Sequence, residues 1–299
     1  MAAPLSIGFL VGTTYDTWKD EIKAFNDELV SNGWTAGTDF KIEYQSAAGQ
    51  QNFYTAIAND FANTKRPNPI DVIVTGGTNA TVACITATLN VPQIKVFFAT
   101  AGEPGPYFTK LASKNTTGIS NVTGISNQQI QYVPDRLYHM KTYVPALLAP
   151  TAFTVFGLIG NANAQNVIDE MAAVVAQALP DYGLTAVQSK TTLQTVGDIP
   201  TVIQSVQSQG AQALYVCTDP LITSNAEFLN ECALTAGLPT MHAFKKNLAG
   251  SGSNKLLYLG YELTDLFSQI AGIIYNWRTT RRAALPAPTT PTGPINKQP

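Results

Sequence analysis

Four short polar turns carry the residues in this chain whose types suit the capture of a small polar group. They occupy residues 13–16, 76–79, 160–165 and 218–219, and each lies between an apolar, strand-like run and a helical pattern. In open parallel sheets, small molecules bind at the carboxyl ends of the strands. The free N–H groups at the start of each following helix suit a carboxylate or another small anion. None of the turns contains Arg or Lys, so N–H and hydroxyl groups would have to hold such an anion.

Three carboxylates also follow strand-like runs and offer partners for an ammonium group: Glu103, Asp219 and Glu262. Asp219 precedes Pro220, and Asp before Pro is also a typical helix start, so capping is the alternative role for Asp219. Aromatic rings that could stack on an apolar ligand lie near strand ends, at Tyr15, Trp18, Tyr107 and Tyr261. Trp18 begins an apolar helical stripe, so a place in the core is its alternative role.

The chain lacks the motifs of the common catalytic and metal sites. GxGxxG, GxxxxGK[ST], GxSxG and CxxC are absent, and the two histidines, His139 and His242, are far apart in the sequence. The three cysteines are expected to be free thiols, with a Cys217–Cys232 disulfide as the alternative. We therefore expect no catalytic residue, no metal and no cofactor, and a protein that is not an enzyme.

The composition limits the class of partner. Charged residues make up only 13% of the chain and the formal net charge is −2, so there is no basic surface for nucleic acid. No run of 18 or more apolar residues predicts a membrane span. The start, Met-Ala-Ala-Pro, leads directly into a strand-like run and shows no signal peptide. A cytoplasmic protein and a mature form with its signal removed are the alternatives.

The elements that must position these residues occur twice. Four strand-like apolar runs alternate with helical patterns over residues 5–100, and the same alternation restarts at Phe153 and continues to Phe244. Residues 71–75 form a short continuous apolar run, which is typical of a parallel strand buried on both faces. The pattern predicts an α/β fold with two doubly wound parallel sheets. A cleft between two such lobes is a natural place to hold a small molecule.

Local signals set the ends of several of these elements. Asp16 is the expected N-cap of the first helix, and Asn32-Gly33 is expected to end that helix. Residues 118–123 indicate a connector between the two halves. Residues 285–299, which are rich in Pro and Thr, indicate an extended segment.

Six short stretches, taken in order, resemble the ABC-transporter substrate-binding proteins of the tryptophan/tyrosine-uptake type. They are residues 7–9, 39–47, 71–74, 97–99, 116–120 and 215–219. The most specific stretch is GTDFKIEYQSAAG at residues 37–49, and the resemblance covers nearly the whole chain up to about Arg282. It implies a type I periplasmic binding protein fold, in which two lobes joined by a hinge close on a solute.

The resemblance also implies capture of a small solute and its delivery to an ABC transporter permease. It implies a periplasmic or otherwise extracytoplasmic protein, secreted or lipid-anchored, in a mature form without its signal. The first lobe would comprise residues 1–119 and 247–285, and the second lobe residues 120–246 and 286–299. We expect a monomer that does not bind nucleic acid. Some relatives bind aromatic amino acids, so the expected solute is an amino acid, aromatic ones included, or a small organic acid.

Carried over by position, the resemblance also implies a set of ligand-binding residues. They are Thr13, Thr14, Tyr15, Gly77, Thr78, Asn79, Thr100, Glu103, Asn161, Asn163, Gln165, Thr218, Asp219 and His242. Relatives often have a His-Pro pair after the first strand and acidic residues near position 245, where this chain has Thr14-Tyr15 and Phe244-Lys245-Lys246. The ligand identity is therefore open. A sensor domain of a regulatory system, and an enzyme with Glu103 or Asp219 as acid or base, are the alternative functions.

Overall fold

The computed structural model describes residues 3–48, 50–101, 121–127, 129–148, 152–161, 164–248, 255–280, 285 and 296–298. The chain divides into two compact units. Unit 1 comprises Met1–Asn127 and Leu263–Thr292, and unit 2 comprises Gln128–Glu262 and Gly293–Pro299. The chain therefore passes from one unit to the other after Asn127, after Glu262 and after Thr292.

Strands and helices alternate along most of the chain. In chain order the strands are β1 (Leu5–Val11), β2 (Phe40–Ser46), β3 (Val72–Gly76), β4 (Lys95–Ala101), β5 (Val122–Ser126), β6 (Val155–Ile159), β7 (Thr185–Gln188), β8 (Leu214–Val216), β9 (Thr240–His242), β10 (Leu256–Gly260) and β11 (Asn296–Gln298). The helices are α1 (Tyr15–Ser31), α2 (Gln51–Phe61), α3 (Thr78–Thr88), α4 (Val133–Leu148), α5 (Gln165–Tyr182), α6 (Ile199–Ser208), α7 (Pro220–Ser224), α8 (Ala226–Thr235) and α9 (Leu263–Thr279). Two short 3-10 helices, Val196–Asp198 and Lys245–Leu248, complete the set among the described residues. None of these helices combines the length and the apolar character that a membrane span needs.

Both units have the same doubly wound strand order. Unit 1 has the order β2-β1-β3-β4-β5, and unit 2 has the order β7-β6-β8-β9-β10, with β11 added antiparallel to β10 at the edge. The order reverses beside the first strand of each sheet, between β1 and β3 and between β6 and β8. Open α/β sheets bind ligands at such switch points. The predicted α/β fold with two doubly wound parallel sheets is therefore confirmed.

The sheet of unit 1 is buried on both faces, as its continuous apolar strands predict. On one face the Phe9 ring lies 5.5 Å, between ring centroids, from both Phe25 of α1 and Phe267 of α9. On the other face Phe61 and Phe98 belong to a cluster with residues of α2 and α3. All five side chains are fully buried. Each aromatic side chain of this kind stabilises the unit by roughly 1.5–3 kcal/mol.

The sheet of unit 2 is covered in the same way. Tyr215 of β8 packs with residues of α4 and α5, while its neighbours Leu214 and Val216 pack with residues of α6 and α8. This alternation follows from the pleat, which points successive side chains to opposite faces. Helices therefore enclose both faces, and polar residues are left mainly at the ends of the strands.

Two local expectations differ from the structure. The expected connector at residues 118–123 overlaps β5, which begins at Val122 and pairs with β4. Gly124 in the middle of β5 obscured the strand, because glycine is depleted in strands. The N-cap of α1 is Thr14, with φ −61° and ψ 161°, and Asp16 lies in the first turn instead. An acidic residue at that position stabilises the positive end of the helix without capping it.

The division into units differs from the expected lobes at all three boundaries, and strand pairing explains the first two. β5 pairs with β4, so the segment ending at Asn127 belongs to unit 1. β10 pairs with β9, so the segment ending at Glu262 belongs to unit 2. Pairing between strands that are distant in sequence sets both boundaries, and a local pattern carries no information on such pairing.

The substitution Gly124→Ala should destabilise the protein strongly. A Cβ atom at Gly124 would lie 2.1 Å from the carbonyl oxygen of Phe98, so the backbone of β4 or β5 would have to move. We expect the free energy of unfolding, measured by urea denaturation, to fall by about 2–3 kcal/mol. Gly197→Ala is the matched control, because its Cβ would lie 3.7 Å from Thr195 Oγ1 and meet no closer neighbour. Equal effects of the two substitutions would contradict the close approach of β4 and β5.

Candidate functional site

The carboxyl ends of β1 and β3 bring two of the predicted turns together at the edge of the unit 1 sheet. The two strands are adjacent and parallel, with Val11 opposite Gly76. Gly77 has a φ of 92°, which side chains disfavour, and α3 begins at Thr78 directly after it. Thr78 is buried and Asn79 is half-buried. The first turn of a helix presents N–H groups that have no helical acceptor, which is the chemistry of a small-anion site.

Thr13 in the other turn is held in place by three side chains. Its carbonyl oxygen accepts hydrogen bonds from the Tyr44 hydroxyl (3.1 Å) and from Ser46 Oγ. Its hydroxyl oxygen accepts a hydrogen bond from Trp18 Nε1 (2.9 Å). Trp18 is buried against Phe267, with 5.6 Å between ring centroids. Trp18 therefore takes its alternative role as a core residue, and it also orients Thr13.

Tyr15 projects an aromatic ring from the start of α1. Its side chain is 52% exposed, although its ring makes an edge-to-face contact with Tyr44, with 5.2 Å between centroids. Burial, together with the nearby Tyr15 and Asp16, raises the pKa of Tyr44 to about 12, although a hydrogen bond with Ser46 opposes the shift. The Tyr44 phenol therefore stays neutral and keeps its proton to donate. The pair forms a supported aromatic surface beside Thr13.

Thr218 and Asp219 follow β8 at the switch point of unit 2, and both are buried. Asp219 caps α7, because its Oδ1 accepts hydrogen bonds from the backbone N–H groups of Leu221 (2.7 Å) and Ile222 (3.3 Å). Its Oδ2 has no hydrogen-bond partner among the described residues. Burial raises the pKa of Asp219 to about 6, and the nearby Glu170 carboxylate adds to the shift, while the two backbone hydrogen bonds oppose it. The capping role and a ligand role are therefore compatible, since they use different oxygens.

Two charged residues next to this turn, Arg136 and Glu170, are not among the predicted site residues. Arg136 and Glu170 form an ion pair with 3.2 Å between Nη1 and Oε1, and their side chains are 2% and 0% exposed. Glu170 Oε2 accepts a hydrogen bond from the Thr218 N–H (2.9 Å). Burial alone would lower the pKa of Arg136, but Tyr215 and Glu170 raise it, so the guanidinium stays charged. A signal existed, since both residues interrupt the apolar stripes of α4 and α5.

Three other predicted residues have assigned partners or positions in unit 2. Asn161 is half-buried and lies two residues after the end of β6. Gln165 is exposed, and its Nε2 donates to Asp169 Oδ1 (2.8 Å) along the surface of α5. His242 is fully buried, and its Nε2 lies 3.0 Å from Asn230 Oδ1. Burial lowers the pKa of His242 to about 3, so the ring is neutral. The Nε2 atoms of Gln165 and His242 thus bond within unit 2, whereas the buried His242 Nδ1 has no hydrogen-bond partner among the described residues.

The remaining candidates fall into two groups. The residues Glu103, Tyr107 and Asn163 and the side chain of Thr100 lie outside the described residues. Tyr261 and Glu262 are described, but both have partners within unit 2. The Tyr261 hydroxyl lies 2.8 Å from the Tyr132 hydroxyl, and Glu262 Oε1 lies 3.3 Å from Lys245 Nζ.

The described residues include neither a group that could bind a metal ion nor a reactive thiol. No group of three His, Cys, Asp or Glu side chains among them could hold a metal ion. Cys84 and Cys217 are buried free thiols, and Cys232 is a half-buried one, so the Cys217–Cys232 disulfide is not formed. Burial raises the pKa of all three thiols, which keeps them protonated and unreactive.

A sequence model of the family described as ABC transporter substrate binding protein matches residues 6–254 of this chain. No curated protein is significantly similar to the chain in sequence. The family match therefore spans both units and includes every predicted ligand-binding residue.

Solved structures of low sequence identity share the fold. A conserved domain protein from Vibrio cholerae has a TM-score of 0.77 and 18% identity, over 98% of this chain and 90% of its own. An ABC domain from Streptococcus pneumoniae, in complex with L-Trp, has a TM-score of 0.73 and 18% identity, over 96% and 89%. A Bacillus halodurans solute-binding protein of an ABC transporter, with bound myo-inositol, has a TM-score of 0.65 and 12% identity, over 100% and 95%.

The substitution Asp219→Asn should make the stability of the protein less dependent on pH. The pKa of Asp219 is about 6 in the folded protein, against an ordinary value of 3.8, so the unfolded chain releases this proton first as the pH rises. The wild type should therefore lose stability between about pH 4 and pH 6. Asn caps a helix about as well as Asp. Urea denaturation should show equal stability at pH 4, with the variant more stable by about 2–3 kcal/mol at pH 7.5. A less stable variant at pH 7.5 would contradict the cost of the buried charge.

Proposed function

Because this chain belongs to the family of ABC transporter substrate-binding proteins, we propose that it captures one small solute outside the cytoplasm and delivers it to a membrane permease. The family is one of solute-binding proteins and is not a class of enzymes. In this proposal the mature protein acts as an extracytoplasmic monomer, and the solute leaves chemically unchanged.

The observation that carries the proposed ligand class is the buried Asp219 carboxylate. Its Oδ1 is occupied by the cap of α7, and its Oδ2 lacks a hydrogen-bond partner among the described residues. An ionised carboxylate away from water is costly unless a cation or hydrogen-bond donors satisfy it. An ammonium group supplies both a positive charge and donors. We therefore propose that the ligand carries an ammonium group that binds Asp219.

The switch point of unit 1 suits the other charged group of an amino acid. Helix α3 begins directly after Gly77. Thr13 and Thr78, which carry hydroxyl groups, follow the neighbouring strands β1 and β3. N–H and hydroxyl donors at a helix N-terminus favour a carboxylate. An α-amino acid carries a carboxylate and an ammonium group, so it matches the chemistry of both units.

Tyr15 supports an aromatic side chain on that amino acid. Its ring is half exposed and is braced by Tyr44, whose hydroxyl is fixed to the Thr13 carbonyl oxygen. Aromatic rings stack edge to face or offset on such a surface. The Streptococcus pneumoniae protein of the same fold was solved with L-Trp. We therefore propose an aromatic amino acid as the first solute to test.

The proposed ligand contacts are the predicted residues that remain at the two switch points. They are Thr13, Thr14, Tyr15, Gly77, Thr78, Asn79, Asn161, Thr218 and Asp219. Gln165 and His242 are not in this set, because Gln165 is exposed and the Nε2 atoms of both residues already bond within unit 2. A small organic acid is the second candidate, since the unit 1 switch point needs no ammonium group.

A ligand screen by thermal shift should identify the solute. The protein is first unfolded and refolded to remove any ligand bound during purification. The panel contains L-tryptophan, L-tyrosine, L-leucine, L-alanine, 3-indolepropionate and benzoate. A ligand at 100 times its Kd adds about 2.7 kcal/mol of stability, which raises Tm by a few degrees in a protein of this size. We expect the largest shift with L-tryptophan or L-tyrosine, and recovery of either one unchanged. Chemical conversion of the ligand would contradict the receptor proposal.

The substitution Asp219→Asn should separate the two candidate ligand classes. If Asp219 pairs with an ammonium group, calorimetry should show the affinity for L-tryptophan falling by about 10- to 100-fold, as expected for loss of a charge-assisted hydrogen bond. The affinity for 3-indolepropionate, which lacks the ammonium group, should not fall. Asp198→Asn is the matched control, because Asp198 is a capping aspartate in the same unit that accepts hydrogen bonds from Gln194 and Thr195 and is not among the proposed contacts. A loss of affinity that is equal for both ligands would contradict pairing of Asp219 with the ammonium group.

A further inference from the structure

The Glu170 carboxylate is buried in unit 2 and binds the turn at Thr218. Its Oε2 accepts hydrogen bonds from the Thr218 N–H (2.9 Å) and from the Thr218 hydroxyl. Its Oε1 accepts hydrogen bonds from Arg136 Nη1 (3.2 Å) and from the Tyr215 hydroxyl (3.1 Å). Four donors thus converge on one carboxylate. No neutral side chain of the same size offers as many acceptor positions.

Arg136 extends this network to two segments that lead out of unit 2. Its Nη1 donates to the carbonyl oxygen of Gln129 (3.1 Å), just after the chain enters the unit at Gln128. Its Nε donates to the carbonyl oxygen of Leu259 (3.0 Å), shortly before the chain leaves the unit at Glu262. One guanidinium therefore bonds to two of the three segments through which the chain passes between the units.

A second contact joins the same two segments. The Tyr132 and Tyr261 hydroxyl groups lie 2.8 Å apart, and their rings are edge to face with 5.6 Å between centroids. Tyr132 lies next to α4, and Tyr261 directly follows β10. The entering and leaving segments are thus tied by the Arg136 guanidinium and by a tyrosine pair.

We propose that Arg136 and Glu170 are positioning residues that couple the Thr218–Asp219 turn to these entering and leaving segments. The proposal gains its functional meaning from the solute-binding role proposed above, because a ligand on the turn would then bias the segments that connect the units. The coupling itself is a property of unit 2 and exists without a ligand.

A stability role alone does not account for a charged pair at this place. Replacing a buried ion pair by apolar residues of similar volume is often neutral or stabilising. The pair instead fixes geometry, since it supplies acceptors to Thr218 and donors to the carbonyl oxygens of Gln129 and Leu259. Apolar residues can fill the same volume, but they cannot make these directed hydrogen bonds to the turn, the two segments and Tyr215.

Glu170→Gln is the first variant to test. An amide has one oxygen, so either the two donors of Thr218 or the two donors of Arg136 and Tyr215 must face its NH₂ group. Hydrogen–deuterium exchange is measured on the unliganded protein. We expect exchange to become about 10-fold faster at residues 215–219, and faster at 129–132 and 256–261 in parallel, because a charge-assisted bond is lost. Faster exchange confined to 215–219, or unchanged exchange, would overturn the proposal.

The double substitution Arg136→Met with Glu170→Met is the second variant, and it tests the same proposal if Glu170→Gln does not fold. It removes both charges, preserves side-chain volume and should keep Tm close to that of the wild type. Exchange should still increase at all three segments, because their bonding partners are gone. Wild-type exchange at the three segments, with wild-type Tm, would show that the pair does not position the turn.

Glu43→Gln is the matched control, because Glu43 pairs with Arg66 in unit 1 at 2.8 Å and has no contact with the network. It should leave exchange in unit 2 unchanged. L-Tryptophan binding is measured on the same variants, and its Kd should rise by about 10-fold in the double variant. If the wild type binds neither L-tryptophan nor any other member of the panel, the proposed function fails. The exchange result still decides the coupling.

Discussion

Burial of both faces of each sheet is the constraint on which the rest of the structure depends. Because helices cover both faces, a polar side chain has a natural place only where a strand ends. The same strand order in both units places such ends side by side at a switch point, after β1 and β3 in one and after β6 and β8 in the other. The fold itself therefore concentrates the polar turns at these edges, whichever ligand binds there.

Few charged side chains are buried among the described residues, and these are Glu21, Arg136, Glu170 and Asp219. Glu170 and Arg136 are buried and satisfy one another together with surrounding donors and acceptors. Asp219 is buried with only one oxygen engaged, and its raised pKa expresses the cost. Asn would cap α7 about as well, so the charge of Asp219 lowers stability at neutral pH without improving the cap. Such a residue is typical of a binding site, where function and stability are in conflict. Asp219 thus differs from Glu170, whose two carboxylate oxygens both accept hydrogen bonds.

The sequence predicted those features that depend on local pattern. Strand and helix alternation, the two parallel sheets and the Asp219–Pro220 helix start all follow from residue types within about ten positions. The strand β5 was missed because Gly124 interrupts it, and the unit boundaries were displaced because pairing of β5 and β10 is long-range. Arg136 and Glu170 were missed for a related reason. A charge in an apolar stripe reveals that it is buried, but only the tertiary structure reveals its partner.

The residues at these strand ends differ in how freely they can change to set ligand preference. Thr13 is committed to the fold, since its carbonyl oxygen and hydroxyl group bind Tyr44, Ser46 and Trp18. Tyr15 begins a helix and is half exposed, so replacing it removes little beyond its contact with Tyr44. A fold shared at 18% identity places these positions without choosing the solute. In the proposed site, ligand preference would therefore depend on exposed residues such as Tyr15 and on Asp219 Oδ2, which takes no part in the helix cap.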